Sequence, residues 1–179
     1  MALEVPSRRL PPGARTLLGR AGIALLVTLA ACAHGRIIPE TARIPTPVGR
    51  VDVQPAPELP GDRIARWREL DADRVIREAI ESELASAGAW QPGAGVEVVV
   101  TVTIFRLRSS WNAAINGLFA GIDMLEGSIE IRRPDAEPER LTFKFSGAED
   151  EYLKFSSGAR FRSLVRALAR EIRAHAAPS

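Results

Sequence analysis

The chain has 179 residues, 46% of them hydrophobic and 26% charged, which suits one globular domain with short accessory segments and excludes disordered or fibrous classes. Its formal net charge is +2, yet Arg8, Arg9, Arg15 and Arg20 stand in an N-terminal stretch with the pattern of a removable signal. Without that stretch and its Glu4 the counts are 20 basic and 21 acidic, so net charge gives no support to a polyanion binder and no nucleic-acid partner is expected.

Residues 1–31 carry an arginine-bearing start, then the uncharged run Ala21 to Ala31, then small residues before Cys32. This is the order of an export signal. At about 1.5 Å per helical residue the run spans roughly 17 Å, too short for the roughly 30 Å hydrocarbon layer, so a transmembrane anchor is not expected. Cys32 is the one cysteine of the chain, so no internal disulfide can support the fold.

Between Ala33 and Gly61 come Pro39, Pro45, Pro47, Pro55, Pro57 and Pro60, spaced so that no helix can propagate. The expectation is an extended tether over residues 32–61, with Val51-Asp52-Val53 as a possible edge strand, and a single domain over 62–179. His34 has no nearby residue to make it a base or a ligand and is expected to be solvated.

Asp71 to Ala87 has apolar residues at helical spacing, with Asp71 or Asp73 as N-cap and Gly88 as a left-handed stop. Trp67 and Trp90 flank it and are expected to cover its ends. From Val96 to Leu107, Val96, Val98, Val100, Val102 and Ile104 alternate with polar residues and predict a strand with those five on one face. Leu125 to Ile131 and Arg140 to Gly147 alternate likewise and predict a hairpin joined by the polar loop Arg132 to Glu139.

The segment Trp111 to Asp123 is apolar and almost uncharged. Ile115, Leu118, Phe119 and Ile122 have helical spacing with Asn112 as possible N-cap, and Ala113, Gly117 and Gly121 form a small-residue ladder. Two readings are open: a short connecting helix or loop over the core edge, or an apolar tip in which Trp111, Ile115, Leu118 and Phe119 touch lipid or a partner.

The last predicted helix, about Gly158 to Ala174, places Phe161, Leu164, Val165, Leu168 and Ile172 on one side and Arg162, Arg166, Arg170 and Arg173 on the other. That basic stripe is either a solvated face paired with Glu149, Asp150, Glu151 or Glu171, or a contact for anionic headgroups or an acidic partner.

The expected fold class is α+β: a two-layer sandwich with an antiparallel sheet of three or four strands covered on one face by two helices. Its open face would carry Thr101, Thr103, Glu126, Glu130 and Lys144. No nucleophile elbow, phosphate loop, paired-cysteine metal signature or centrally placed histidine occurs, since His34 stands in the expected tether and His175 in the expected C-terminal tail. An enzyme, a metal site and a cofactor are therefore not expected.

Leu29-Ala30-Ala31-Cys32 resembles the bacterial lipobox. The resemblance implies that Cys32 becomes the new N-terminus and carries a diacylglyceryl thioether and an amide-linked acyl chain, so that lipid on Cys32 holds the protein to a membrane. Ala33, in place of the aspartate that favours inner-membrane retention, implies the periplasmic side of the outer membrane. The whole plan is similar to small uncharacterised α/β lipoproteins of Gram-negative bacteria, from which no functional residue carries over. Two functions remain open: a non-catalytic module that binds another envelope protein, or a carrier for a lipid or other apolar molecule.

Overall fold

The computed structural model describes residues 34–108, 122–147 and 156–176, which belong to one compact unit, Cys32–Ser179. Among these residues five strands and three helices follow one another in the order β1 (His34–Ile38), β2 (Val48–Pro55), α1 (Gly61–Glu69), α2 (Ala72–Ser86), β3 (Val96–Arg106), β4 (Met124–Arg133), β5 (Ala136–Ser146) and α3 (Ser157–Ala176). The strands form one mixed sheet in the order β1-β5-β4-β3-β2. The α+β class is as expected, but the sheet is wider than three or four strands, it is not purely antiparallel, and α1 is an additional helix.

The extra strands come from the proline-rich region. β1 pairs antiparallel with β5, and β2 pairs parallel with β3 through the α1–α2 crossover. In place of an extended tether over 32–61, this region therefore supplies both edges of the sheet. Prolines forbid a helix but tolerate edge strands, where a missing N–H faces no partner, and Pro55 is the last residue of edge strand β2. Ile37, Val48 and Val51 anchor the two edges in the core.

The connection between β1 and β2 is held rather than loose. Ala42 and Ile44 are buried in it, Ile44 donates its N–H to the His175 carbonyl at 2.9 Å, and the His175 ring, in the last turn of α3, is bonded through Nδ1 to the Ala42 carbonyl at 2.8 Å. His175, expected in a terminal tail, is thus a buried clasp.

α2 begins at Asp71, which stands at φ 50 with no side-chain cap bond; its carboxylate pairs with Arg74 instead. The helix ends as its sequence predicts, on Gly88 at φ 69. The Ala89 N–H reaches the Leu84 carbonyl at 2.9 Å and the Gly88 N–H reaches Ala85 at 3.0 Å, the paired bonds of a Schellman stop.

α2 and α3 pack on one another and on the sheet. Ile76, Ile80 and Leu84 from α2 meet Leu164, Leu168 and Ile172 from α3 over Val98, Val100, Ile129, Leu141 and Phe143, all buried. Each such side chain contributes about 1.5–3 kcal/mol when withdrawn from water. The β4–β5 hairpin turns more tightly than expected, through Pro134 and Asp135 alone, with Arg133 paired to Ala136.

One local feature changes the inward face of β3. Its register with β4 shifts between Val102 and Ile104, so Thr103 is an extra residue and the alternation is offset beyond it. Ile104, expected in the core, turns outward at 40% exposure, and Phe105 turns inward at 2%. Gly127, opposite Val102, makes this possible: a Cβ there would lie 2.0 Å from the Thr101 carbonyl oxygen.

Candidate functional site

Phe105, brought inside by the bulge, fixes one end of the sheet. Its ring meets Trp67 of α1 edge-on, with centroids 5.3 Å apart, and Phe161 of α3 at 5.6 Å. Such pairs add about 0.5–1.5 kcal/mol beyond burial. Trp67 therefore joins α1 to the sheet, and Trp90 bridges to Val48.

At the same end, Arg106, Met124, Ser146 and His34 form one register row across β3, β4, β5 and β1. Just beyond it lies a buried charge cluster. Asp123, fully enclosed, accepts from the Arg108 N–H at 2.7 Å and from Arg160 Nε at 2.7 Å, and Arg108 Nη2 stands 3.4 Å from its second oxygen. Arg160 also donates through Nη2 to the Arg108 carbonyl at 2.7 Å. The Gly147 N–H reaches the Asp123 carbonyl at 2.9 Å. The cluster ties the end of β3, the start of β4, the end of β5 and the first turn of α3 into one knot.

Sequence reasoning missed this cluster, although a signal was present. Arg160 precedes Leu164 by four and Leu168 by eight, so it falls on the apolar stripe of α3, where a charge requires a buried partner.

Beside the knot opens a cleft of about 410 Å³ lined by Asp62, Arg63, Arg66, Phe105, Leu107, Arg108 and Ser157. Arg63 donates through Nη1 to the Phe105 carbonyl at 3.1 Å and lies 3.2 Å from Asp62 through Nε. Arg66 binds Glu69 and the Ser157 hydroxyl. A smaller cleft of about 320 Å³ shares Arg63 and Phe105 with it and adds Leu59, Pro60, Thr103, Ile104 and Arg106.

On the sheet surface away from the helices, Thr101, Thr103, Glu126, Glu130 and Lys144 lie as expected, within a lattice of ion pairs. Lys144 Nζ stands 2.6 Å from Glu126, Glu130 lies between Arg132 at 2.6 Å and Arg140 at 2.9 Å, and Glu97 is shared by Arg50 and Arg132. Hydrogen bonds from Arg140 and then Arg132 hold the Glu130 carboxyl below the usual carboxylate range. Glu130 in turn raises the Arg132 guanidinium above its ordinary value.

Of the expected contact residues, Cys32, Trp111, Ile115, Leu118 and Phe119 lie outside the described residues. Arg162, Arg166, Arg170 and Arg173 are exposed on α3. The acid that pairs with this stripe is Glu83 of α2, 2.8 Å from Arg173 and 3.8 Å from Arg170; Glu171 faces His175 at 3.6 Å. Among the described residues no group of three His, Cys, Asp or Glu side chains could hold a metal ion, and no helix is long and apolar enough to cross a membrane.

No protein-family model matches the chain, and no curated protein matches it. Among solved structures it is similar to the PelC dodecamer from Paraburkholderia phytofirmans in two crystals, at 14% identity and a TM-score of 0.46. The matches cover 79% and 82% of this chain and 97% and 100% of those chains. It is also similar to an uncharacterized protein, at 16% identity and a TM-score of 0.33, over 74% of this chain and 92% of that one.

Proposed function

We propose that the protein is a lipid-anchored envelope lipoprotein on the periplasmic side of the outer membrane. In this reading it binds another envelope protein and performs no chemistry of its own. The observation that carries the reading is the spacing between anchor and fold: β1 begins at His34, two positions after the lipobox cysteine Cys32. An acyl group on Cys32 would hold the sheet directly at the bilayer, with Ala33 as the only residue between, in place of a tether of some thirty residues.

The charged surface of the sheet supports a protein partner. It is five strands wide and carries paired charges along β2 to β5, a pattern that selects a partner by complementary charge. The carrier reading is less favoured because the layer between helices and sheet is filled by Ile76, Ile80, Leu84, Val100, Ile129, Leu164 and Leu168, each with no exposed surface.

Labelling with palmitate tests the anchor. Full-length protein should incorporate label and sediment with membranes, and Cys32→Ser should abolish both. A Cys32→Ser protein that still fractionates with the outer membrane would overturn the reading. Cross-linking from the sheet surface, with Arg140→Glu and Lys144→Glu as charge-reversed controls, should capture an envelope protein that the reversed variants lose.

A further inference from the structure

We propose that the paired clefts at the β3 end of the sheet bind one anionic phospholipid of the membrane that holds Cys32, with the phosphate among the arginines and the start of an acyl chain along Ile104. This rests on the lipid-anchored reading and extends it to a second, non-covalent contact.

The two clefts are chemically unlike and share Arg63 and Phe105 as lining. The larger has guanidinium groups from Arg63 and Arg66 over a floor of Phe105 and Leu107. The smaller is bordered by Leu59, Pro60 and Ile104, and Arg63 belongs to both. Guanidiniums beside an apolar track suit an anionic amphiphile, and a planar guanidinium fork suits its phosphate. Asp62 also lines the larger cleft and takes Nε of Arg63. Nη2 of Arg63 and Nε of Arg66 have no hydrogen-bond partner among the described residues, so each fork keeps a donor for a ligand.

Ile104 is outward only because of the bulge at Thr103. A regular strand would bury it and leave no apolar track, so the irregularity that seats Phe105 also builds the second compartment. Bulges recur where a side chain is re-aimed for use.

Strand register supplies the location. His34 and Arg106 are the outer members of the row His34, Ser146, Met124, Arg106. At about 4.8 Å between neighbouring strands they are roughly 14 Å apart. β1 starts at His34, at the same end of the sheet where the clefts open, so one membrane surface can serve both contacts.

The test uses the full-length chain in zwitterionic detergent, read by tryptophan fluorescence, because Trp67 packs on the Phe105 floor of the cleft. Three probes are titrated: dihexanoyl phosphatidylglycerol, dihexanoyl phosphatidylcholine and inorganic phosphate. The proposal expects phosphatidylglycerol to saturate at the lowest concentration. It expects Arg63→Ala/Arg66→Ala to weaken that binding about 10-fold or more, and Ile104→Asp to weaken it while leaving the response to phosphate unchanged. Phosphatidylcholine binding as well as phosphatidylglycerol, phosphate binding as well as the lipid with Ile104→Asp indifferent, or no saturable response would each overturn it. Should the arginine variant fail to fold, Ile104→Asp, at an exposed position, carries the test alone. Cys32→Ser is run alongside: it should bind the short-chain lipid equally, so a failure of acylation and a failure of the cleft are read separately.

Discussion

Arg160 Nε and Asp123 Oδ2 lie 2.7 Å apart with neither side chain reaching solvent. The carboxylate also holds Arg108, so one buried acid neutralises part of two guanidiniums. Asp123→Asn should therefore remove the buried charge that both arginines share and destabilise the fold by about 3–5 kcal/mol. Replacing all three residues with Met, Leu and Met should recover much of that loss, because a packed apolar trio needs no desolvation. Urea unfolding of the parent and these two variants checks this. A single variant as stable as the parent would show that the knot does not hold the fold together.

The bulge makes opposite demands on neighbours. Phe105→Ala should cost about 3–5 kcal/mol, since it empties the junction between Trp67 and Phe161. Ile104→Thr should change stability by no more than about 0.5 kcal/mol. Thermal melts of the two variants distinguish the bulged strand from a regular one, which would reverse the order.

Two glycines give a matched pair. Gly127→Ala drives a methyl group to 2.0 Å from the Thr101 carbonyl oxygen and should destabilise by about 1–3 kcal/mol as the two strands are forced apart. Gly61→Ala, with no atom within 4 Å at the start of α1, should be neutral or stabilising by up to about 1 kcal/mol. Equal effects in chemical denaturation would contradict the register at Gly127.

Acid titration should expose Glu130. Its carboxyl is held below the ordinary value of 4.5 by Arg140 and Arg132, so its contribution is complete above that value and is lost as pH falls through the lower, folded-state one. Glu130→Gln should flatten stability against pH only below about 4.5, by less than about 1 kcal/mol for a surface pair. A change confined to neutral pH would reject the assignment.

Much of the secondary structure was readable because each signal is local. The valines of β3, the alternation of β4 and β5, the apolar stripe of α3 and the Gly88 stop of α2 each follow from period and backbone preference within a few residues. The same method misplaced Ile104, since one inserted residue offsets a period-two pattern and the glycine that permits it stands 23 positions along the chain. It also read the prolines before Gly61 as a tether. Proline content forbids a helix but is silent about pairing with a strand.

The sequence by itself determined the export signal pattern, the lipobox resemblance and which faces of the predicted helices and strands are apolar, because these depend on residues close in the chain. The tertiary structure decided that β1 and β2 close the two sheet edges, that His175 clasps the β1–β2 connection, and that Arg108, Asp123 and Arg160 meet at one end of the sheet. Those outcomes are contacts between residues up to 133 positions apart, and a pair that meets only on folding leaves no period in either segment. The clefts beside Arg63 belong to the same class, since their walls come from α1, β3 and α3 and exist only when the knot at Asp123 has brought those ends together.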